Sequence, residues 1–471
     1  MNQKFQSERL GTEPIPKLLK SLSIPAIIGM VVMALYNVID TIFISYGVGI
    51  AAVAGVTISF PLMMLMMAIS AAMGIGGASV ISRRLGERKE KEANQVFGNV
   101  LTLILLLSVI GFVGAFTFLE PVLILFGATP EILPYALDYM FPILLATLFF
   151  TFGFATNSII RSEGNARFAM MAMIIPSVLN IILDAVFIFG LNMGVRGAAY
   201  ATVISQVVTS VMVIQYFVSG KSTLSLTIAD FKLKFALVKE ITLVGLPAFV
   251  QQAAGSVMMI AINAMLIRFG GEFYVGVFGI IQRIIMMSFM PMAGIMQGMQ
   301  PIVGYNYGAK NFSRLRETVM LSLKVTTVMS VAVFFIVMLF PSYLMSIFTS
   351  DPAVIEAGAD SMRVMFAAVF LIGIQIISSG LYQALGKAKL ALILSLSRQF
   401  LFLIPLVLIL PHFMGTTGVW LAFPIADFFS FLLAGYLLYR HRETFLSKEG
   451  SSDESSQQEA VEYNEVTQSS N

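Results

Sequence analysis

Two carboxylates interrupt membrane-grade apolar runs in the first half of this chain. Asp40 lies in "LYNVIDTIFI" (35–44) and Asp184 in "SVLNIILDAVFIFG" (177–190). Read as helices, both carry polar neighbours about one turn away. Tyr36 and Asn37 precede Asp40, and Asn180 precedes Asp184 at i,i+4, so each set shares a face. Thr202 and Tyr139 fall in the outer halves of two further apolar runs. A carboxylate in hydrocarbon costs about 3 kcal/mol on insertion scales. Burial and a nearby second acid both disfavour the charged form. Such a pair would therefore hold a proton at neutral pH, or share a Na⁺ with amide, hydroxyl and carbonyl oxygens. The alternative is structural: each Asp bonds a neighbouring helix or lies in the interface.

The elements that must position these residues are apolar helices. Of the 471 residues, 58% are hydrophobic and 12% charged, where a soluble domain is nearer a quarter charged. Nearly every segment between charge clusters is long enough to cross about 30 Å of hydrocarbon as helix, and the strict alternation of a barrel strand is missing. The expected fold is all-α and polytopic. Twelve spans fall at about 18–45, 50–82, 95–119, 132–156, 167–190, 196–220, 237–268, 273–305, 317–340, 356–381, 389–411 and 416–440. Arg196, Arg268 and Arg363 lie in loops of one side, and Arg283, Lys324 and Arg398 within spans; every other Lys and Arg falls on the opposite side with both termini. The positive-inside rule makes that side cytoplasmic. With the basic residues confined to short loops, the net charge of +3 carries no nucleic-acid signal. The long first span lacks a cleavage site, so a removed signal peptide is not expected.

The chain also repeats itself. At an offset of 222 residues, Pro25 pairs with Pro247, Gly76 with Gly298, Gly86 with Gly308, Phe126 with Phe348, Pro130 with Pro352 and Gly164 with Gly386. Farther on the offset drops to 221, where Gly194 and Gly197 meet Gly415 and Gly418. This divides the chain into a cytoplasmic N-terminus (1–17), an N-lobe (18–220), a cytoplasmic linker (221–236), a C-lobe (237–440) and a disordered tail (441–471). Six spans per half is an even number, so the lobes share one orientation, as in the paired bundles of secondary transporters.

The second half lacks the acids of the first: the offset lays Met259 and Ile262 over Asn37 and Asp40. Its polar set is different. Arg398 and Asp427 share a mid-membrane depth and are expected to form a structural ion pair. Arg283 has no partner by sequence and is a candidate for the central cavity. Gln251, Gln252, Asn263, Gln282 and Gln375 are hydrogen-bonding groups for helix packing or for that cavity. The 30 methionines cluster at 62–67, 170–173 and 287–299. They suit either a soft, promiscuous cavity or a lipid-facing surface. "MGIGGAS" (73–79) supplies small residues for close packing. Cys is absent, which excludes disulfides and thiolate ligands. His412 and His441 fall at opposite faces, and no P-loop or nucleophile-plus-base set appears, so an enzyme is not expected.

Taken together, "IPAIIGMVVMALYNVIDTIFI", "GIGGASVISRRLGE", "NSIIRSEGNARFAMM", "NIILDAVFIFGLNMGVRGAAYATVISQ" and "QPIVGYNYGAKNF" resemble the multidrug and toxic compound extrusion (MATE) transporters over roughly residues 10–442. The flavour is that of the MepA-like bacterial multidrug branch. The resemblance implies a V-shaped pair of six-helix lobes in a bacterial cytoplasmic membrane, working as a monomer among lipids by alternating access. It implies export of organic, often cationic drugs against inward H⁺ or Na⁺, with no other cofactor. It also implies that Asp40, Asn180, Asp184 and Thr202 handle the coupling ion, with Tyr139 and Asn157 as polar partners. Pro25 is a hinge candidate in the first span. Members of the NorM branch carry further acids in the C-terminal half, where this chain has Gln252 and Gln375, so coupling rests on the N-lobe. The competing expectations are a lipid-linked precursor flippase of the same superfamily, which needs several cavity cations, and a channel.

Overall fold

With no water available in hydrocarbon, each backbone N–H and C=O must pair within its own segment, so the spans fold as helices. The computed structural model describes residues 4–442, and the tail expected to be disordered lies, past Arg442, outside the described residues. The order is α1 (Lys4–Thr12), α2 (Ile15–Gly47), α3 (Ile50–Gly86), α4 (Glu90–Leu125), α5 (Leu133–Leu145), α6 (Thr147–Ser162), α7 (Ala166–Asp184) and α8 (Gly194–Val218). After the linker come α9 (Phe235–Gly308), α10 (Phe312–Leu339), α11 (Pro341–Ser346), α12 (Pro352–Met365), α13 (Ile372–Ala384), α14 (Ala388–Leu396), α15 (Ile404–Ile409), α16 (Pro411–Met414) and α17 (Thr416–Arg440). Among the described residues nine helices are long and apolar enough to cross a bilayer. The pair α5 and α6, bent by 62°, makes one further span, and the 45° bend between α12 and α13 another. The 74-residue α9 turns back at Gly271, whose φ is 76°, and so crosses twice. Twelve spans result.

The internal repeat reappears in the backbone. Left-handed residues recur at the same offset: Gly49 with Gly271, Arg88 with Lys310, and Gly164 with Gly386. The bend after α5 falls at Ala146 and that after α12 around Ala368, again 222 residues apart.

The lobes join at one end only. At the basic end, apolar clusters draw on both halves. Leu18, Leu19 and Leu22 of α2 pack with Met299 and Ile302 of α9, and Val80 and Ile81 of α3 share a cluster with Ile241. At the other end the clusters stay within a half, one around Ile44, Tyr139 and Ile188, the other around Phe278, Met362 and Trp420. The joint is set by glycines. A Cβ added at Gly86 would come 2.0 Å from Tyr305 O, and one at Gly308 would come 2.1 Å from Arg83 O. Arg83 and Tyr305 are themselves repeat mates, so this is one contact used twice across a pseudo-twofold axis. Gly76 against Ile241 O (2.2 Å) and Gly298 against Ser23 Oγ (2.2 Å) repeat the pattern one layer deeper. Backbone-to-backbone approach of this kind is how helices gain dispersion contacts where lipid offers no hydrophobic drive. Polar contacts lock the rim: Arg83 to Glu240 at 3.0 Å, Arg84 to Glu240 at 3.2 Å and Ser79 Oγ to Gln383 O at 2.7 Å.

A large side chain in this joint should therefore part the lobes at the basic end. In the cysteine-free chain, a reporter cysteine at Ser79, which is buried here, should react slowly with a water-soluble thiol reagent. Adding Gly86→Leu or Gly308→Leu should speed that labelling several-fold; equal rates with and without the leucine would refute the joint.

Candidate functional site

Four helices of the N-lobe deliver the polar residues to one point. α2 carries Tyr36 and Asp40 one turn apart, α5 carries Tyr139, α7 carries Asn180 and Asp184, and α8 carries Thr202. Tyr139, Asn180, Asp184 and Asp40 are buried, with Asp184 fully enclosed and Asp40 7% exposed. The two carboxyl groups lie within hydrogen-bonding reach of each other, and Tyr36 and Tyr139 are close enough to feel both charges. Assigned from its surroundings, the Asn180 amide donates Nδ2–H to Asp184 Oδ2 at 3.0 Å and accepts from the Thr202 N–H at 3.2 Å. In the opposite orientation Nδ2 reaches Thr202 Oγ1 at 3.4 Å, a longer contact. We favour the first because it pairs both amide atoms. Oδ1 of Asp40 and Oδ1 of Asp184 have no hydrogen-bond partner among the described residues.

Local sequence explains the approach of α2 to α7. A Cβ at Gly47 would meet Ile188 Cγ2 at 2.3 Å, and one at Gly29 would meet Met173 Sδ at 3.0 Å, so glycine lets the two helices close at both ends. Asp184 ends α7, and the chain widens into a π-helical turn over Ala185–Gly190. Such turns disturb the regular ladder and recur at functional sites. Two carboxyls side by side in a dry setting cannot both carry an uncompensated charge. The pair is built to hold one positive entity between its oxygens. A proton would satisfy it, and so would a monovalent cation, for which the oxygens of Asp40, Asp184 and Thr202 are suitable hard donors; Asn180 would add its oxygen only by turning its amide over, since here Nδ2 faces Asp184.

Other residues singled out by sequence fall elsewhere. Asn37 is exposed on α2 and donates to Met33 O at 2.7 Å, because its place on the helix turns it away from α7. Asn157 sits toward the basic end of α6, bonded to Arg161 and, at 2.8 Å, to Ala169 O. The Asp pair lies at the far end of α7, so Asn157 has no part in it. Gln375 is buried and donates to Leu394 O at 3.2 Å, which corrects its assignment to a cavity. Gln252 reaches across the lobes to Met64 Sδ at 3.1 Å. Arg398 Nε donates to Asp427 Oδ1 at 2.6 Å, and its guanidinium lies over the Phe289 ring at 5.5 Å. Arg283 is exposed. Pro25 is buried in α2, which stays helical through it.

Sequence reasoning missed Glu163. This fully buried acid in the turn after α6 accepts from Tyr216 Oη (2.9 Å), Ser222 Oγ (2.5 Å), Thr223 Oγ1 (2.8 Å) and the Leu224 N–H (3.0 Å). It ties the inter-lobe linker to the N-lobe. Only "SEGNAR" hinted at it, because its partners lie over fifty residues away in sequence. Burial raises its carboxyl above the ordinary 4.5, against the opposing pull of those hydrogen bonds.

The MatE family model matches the chain over residues 25–186 and 247–409, one match in each lobe. The multidrug export protein MepA of Staphylococcus haemolyticus is 27% identical over 431 residues, covering 90% of this chain and 94% of that protein. Among solved structures, the MATE multidrug transporter DinF-BH, in complex with a ligand, is similar at 67% identity with a TM-score of 0.87, covering 93% of this chain and 99% of that one. A MATE in complex with MaD3S is similar at 32% identity with a TM-score of 0.87, covering 94% and 99%.

Glu163→Ala strands three hydroxyls and an amide N–H in a buried turn and should cost about 2–4 kcal/mol, read as a fall in Tm. Because the folded carboxyl is raised, it favours folding when protonated, and that contribution is lost as pH climbs above about 4.5 and through the raised value. Glu163→Gln cannot ionise, so its Tm relative to wild type should rise with pH. A flat difference would show that the carboxyl titrates as it does in water.

Proposed function

The chain belongs to the MatE family, whose matched relatives are multidrug exporters, and on that premise we propose that it exports organic, often cationic compounds by antiport with H⁺ or Na⁺. It is a transporter by kinship rather than an enzyme. We place it in a bacterial cytoplasmic membrane as a monomer surrounded by lipid, with the basic end and both termini inside. The observation that carries the coupling reading is the contact between Asp40 and Asp184, buried in one lobe only.

The chain's own residues divide the work. Asp40 and Asp184 take up the ion from outside, with Asn180 holding Asp184 in position and Thr202 close by. Tyr36 and Tyr139 wall the pair off from the cleft. An ion between the carboxyls draws α2 toward α7, and α2 transmits this to the cleft because its opposite face lines it. Pro25 lacks an N–H donor, so α2 bends there at lower cost than elsewhere. Bending narrows the N-lobe and expels the drug outward. Opening at the basic end must break the glycine joint and the Glu240 ion pairs, so the two ends cannot be open together. An inward monovalent cation gains about 2.3 kcal/mol per 100 mV, enough for roughly a fifty-fold gradient of a drug without net charge; for a monocationic drug the outward charge cancels that gain, and the ion's own concentration gradient supplies the drive.

Proteoliposomes carrying a cationic dye, with Na⁺ and pH gradients imposed separately, test this. Efflux should follow one of the two gradients and should vanish in Asp40→Asn and in Asp184→Asn while membrane insertion persists. Near-normal gradient-driven efflux in both variants would sink the proposal.

A further inference from the structure

Arg283 is an exposed cation in the eighth span, and no hydrogen bond, ion pair or ring contact engages it among the described residues. A charge at that depth does not face lipid acyl chains without a partner. The neighbouring turns show where it points. Val277, Ile281 and Ile284 are buried in the C-lobe core, and Arg283 stands on the other side of the helix. Three turns toward the basic end, Gly294 packs on Ile27 of α2 in the opposite lobe, its Cβ position 2.2 Å from Ile27 Cγ1. The helix keeps its dihedrals through Pro291, so Arg283 and Gly294 point in directions about 20° apart. On the same stripe Gly279 and Gly276 lie farther outward, and a side chain added at either meets nothing within 4 Å. Arg283 therefore stands on the lobe-facing side of α9 at the height where the lobes have parted.

The facing wall follows from the same register. α2 and this half of α9 run antiparallel, with Gly294 at Ile27 and, one turn toward the basic end, Gly298 at Ser23 (2.2 Å to Ser23 Oγ). Moving outward along both helices puts Arg283 level with the stretch of α2 around Val38, about 16 Å above the Gly294–Ile27 contact. That stretch carries Asp40 inward, into the N-lobe, and leaves Val38 and Thr41 exposed toward the cleft, with Asn37 a turn below. The cleft at this level thus has an apolar wall with neutral hydrogen-bonding groups on one side and one guanidinium on the other. Arg398, the other arginine within a span of this lobe, is occupied by Asp427. A guanidinium presents a planar fork of donors matched to a carboxylate.

We propose that Arg283 is a specificity-determining substrate contact: its guanidinium binds the carboxylate of zwitterionic organic compounds and so sets the preference for an acid over its uncharged ester. This rests on the export reading above. The bidentate contact would set specificity, because an uncharged ester of the same compound offers the fork no anion.

The test uses one rhodamine dye as its free carboxylate and as its ethyl ester, in proteoliposomes of the full chain. Arg283→Gln should lower the acid-to-ester ratio of kcat/KM about tenfold, chiefly through KM for the acid, and Arg283→Lys should restore part of it. A ratio unchanged in Arg283→Gln overturns the proposal, whether both dyes fall together, as a structural defect would make them, or neither moves. If wild type exports neither dye, the export reading fails on its own. Fluorescence anisotropy of the two dyes on purified protein then still decides Arg283, by whether the glutamine variant loses preference for the acid.

Discussion

Two carboxylic acids held against each other at membrane depth are the constraint around which the N-lobe is arranged. Asp40 and Asp184 approach because Gly47 and Gly29 let α2 close on α7. Asn180 and Thr202 hold the pair on one side, and Tyr36 and Tyr139 stand near both acids. An apolar pair in the same place would pack better and could be set once. A pair of acids can never be satisfied permanently, because its best state depends on what occupies it. That dependence is what the proposed coupling would use, with occupancy of the pair read as a change in the preferred shape of α2.

The joint between the lobes answers to the opposite requirement. Gly86 against Tyr305 and Gly308 against Arg83 are one contact repeated across the pseudo-axis, and such a contact is short, tight and free of long side chains. It can part and re-form without leaving cavities or tangled rotamers, since only backbone meets backbone. The rim ion pairs of Arg83 and Arg84 with Glu240 sit where water can take over when they break. Symmetry serves the joint, while asymmetry serves the site: the C-lobe has Ile262 where the N-lobe has Asp40, and in place of an acid pair it buries the Arg398–Asp427 ion pair. In the proposed mechanism one lobe switches while the other gives it a stable counterpart.

The legible parts of the sequence were those written in periodic or local terms. Apolar length marks a span because hydrocarbon admits little else, and the offset between Pro25 and Pro247 marks a duplication because both copies need the same bends. Asp40 and Asp184 stood out because a carboxylate in an apolar run has no bland local use. The errors came from depth and facing. Asn37 shares a turn with Asp40, yet it stands about 60° around the helix from it, far enough to be exposed and to donate to Met33 O instead of joining the pair. Asn157 and Gln375 looked like site or cavity residues, but their amides satisfy backbone carbonyls of Ala169 and Leu394. Glu163 gave almost no signal, because a buried acid in a turn reads as a solvated one until its partners fold over it.

By itself the sequence determined the solvent, the number of crossings, the duplication and which residues were too costly to be incidental. Each follows from composition or spacing along one helix, where geometry is the same in every protein. Only the tertiary structure decided that the two acids touch, that repeat glycines meet their mates' backbone across the axis, and that Arg283 faces the cleft while Arg398 is spent on Asp427. Those facts depend on how helices distant in sequence rotate and close on one another, and no periodicity within a single helix contains that angle.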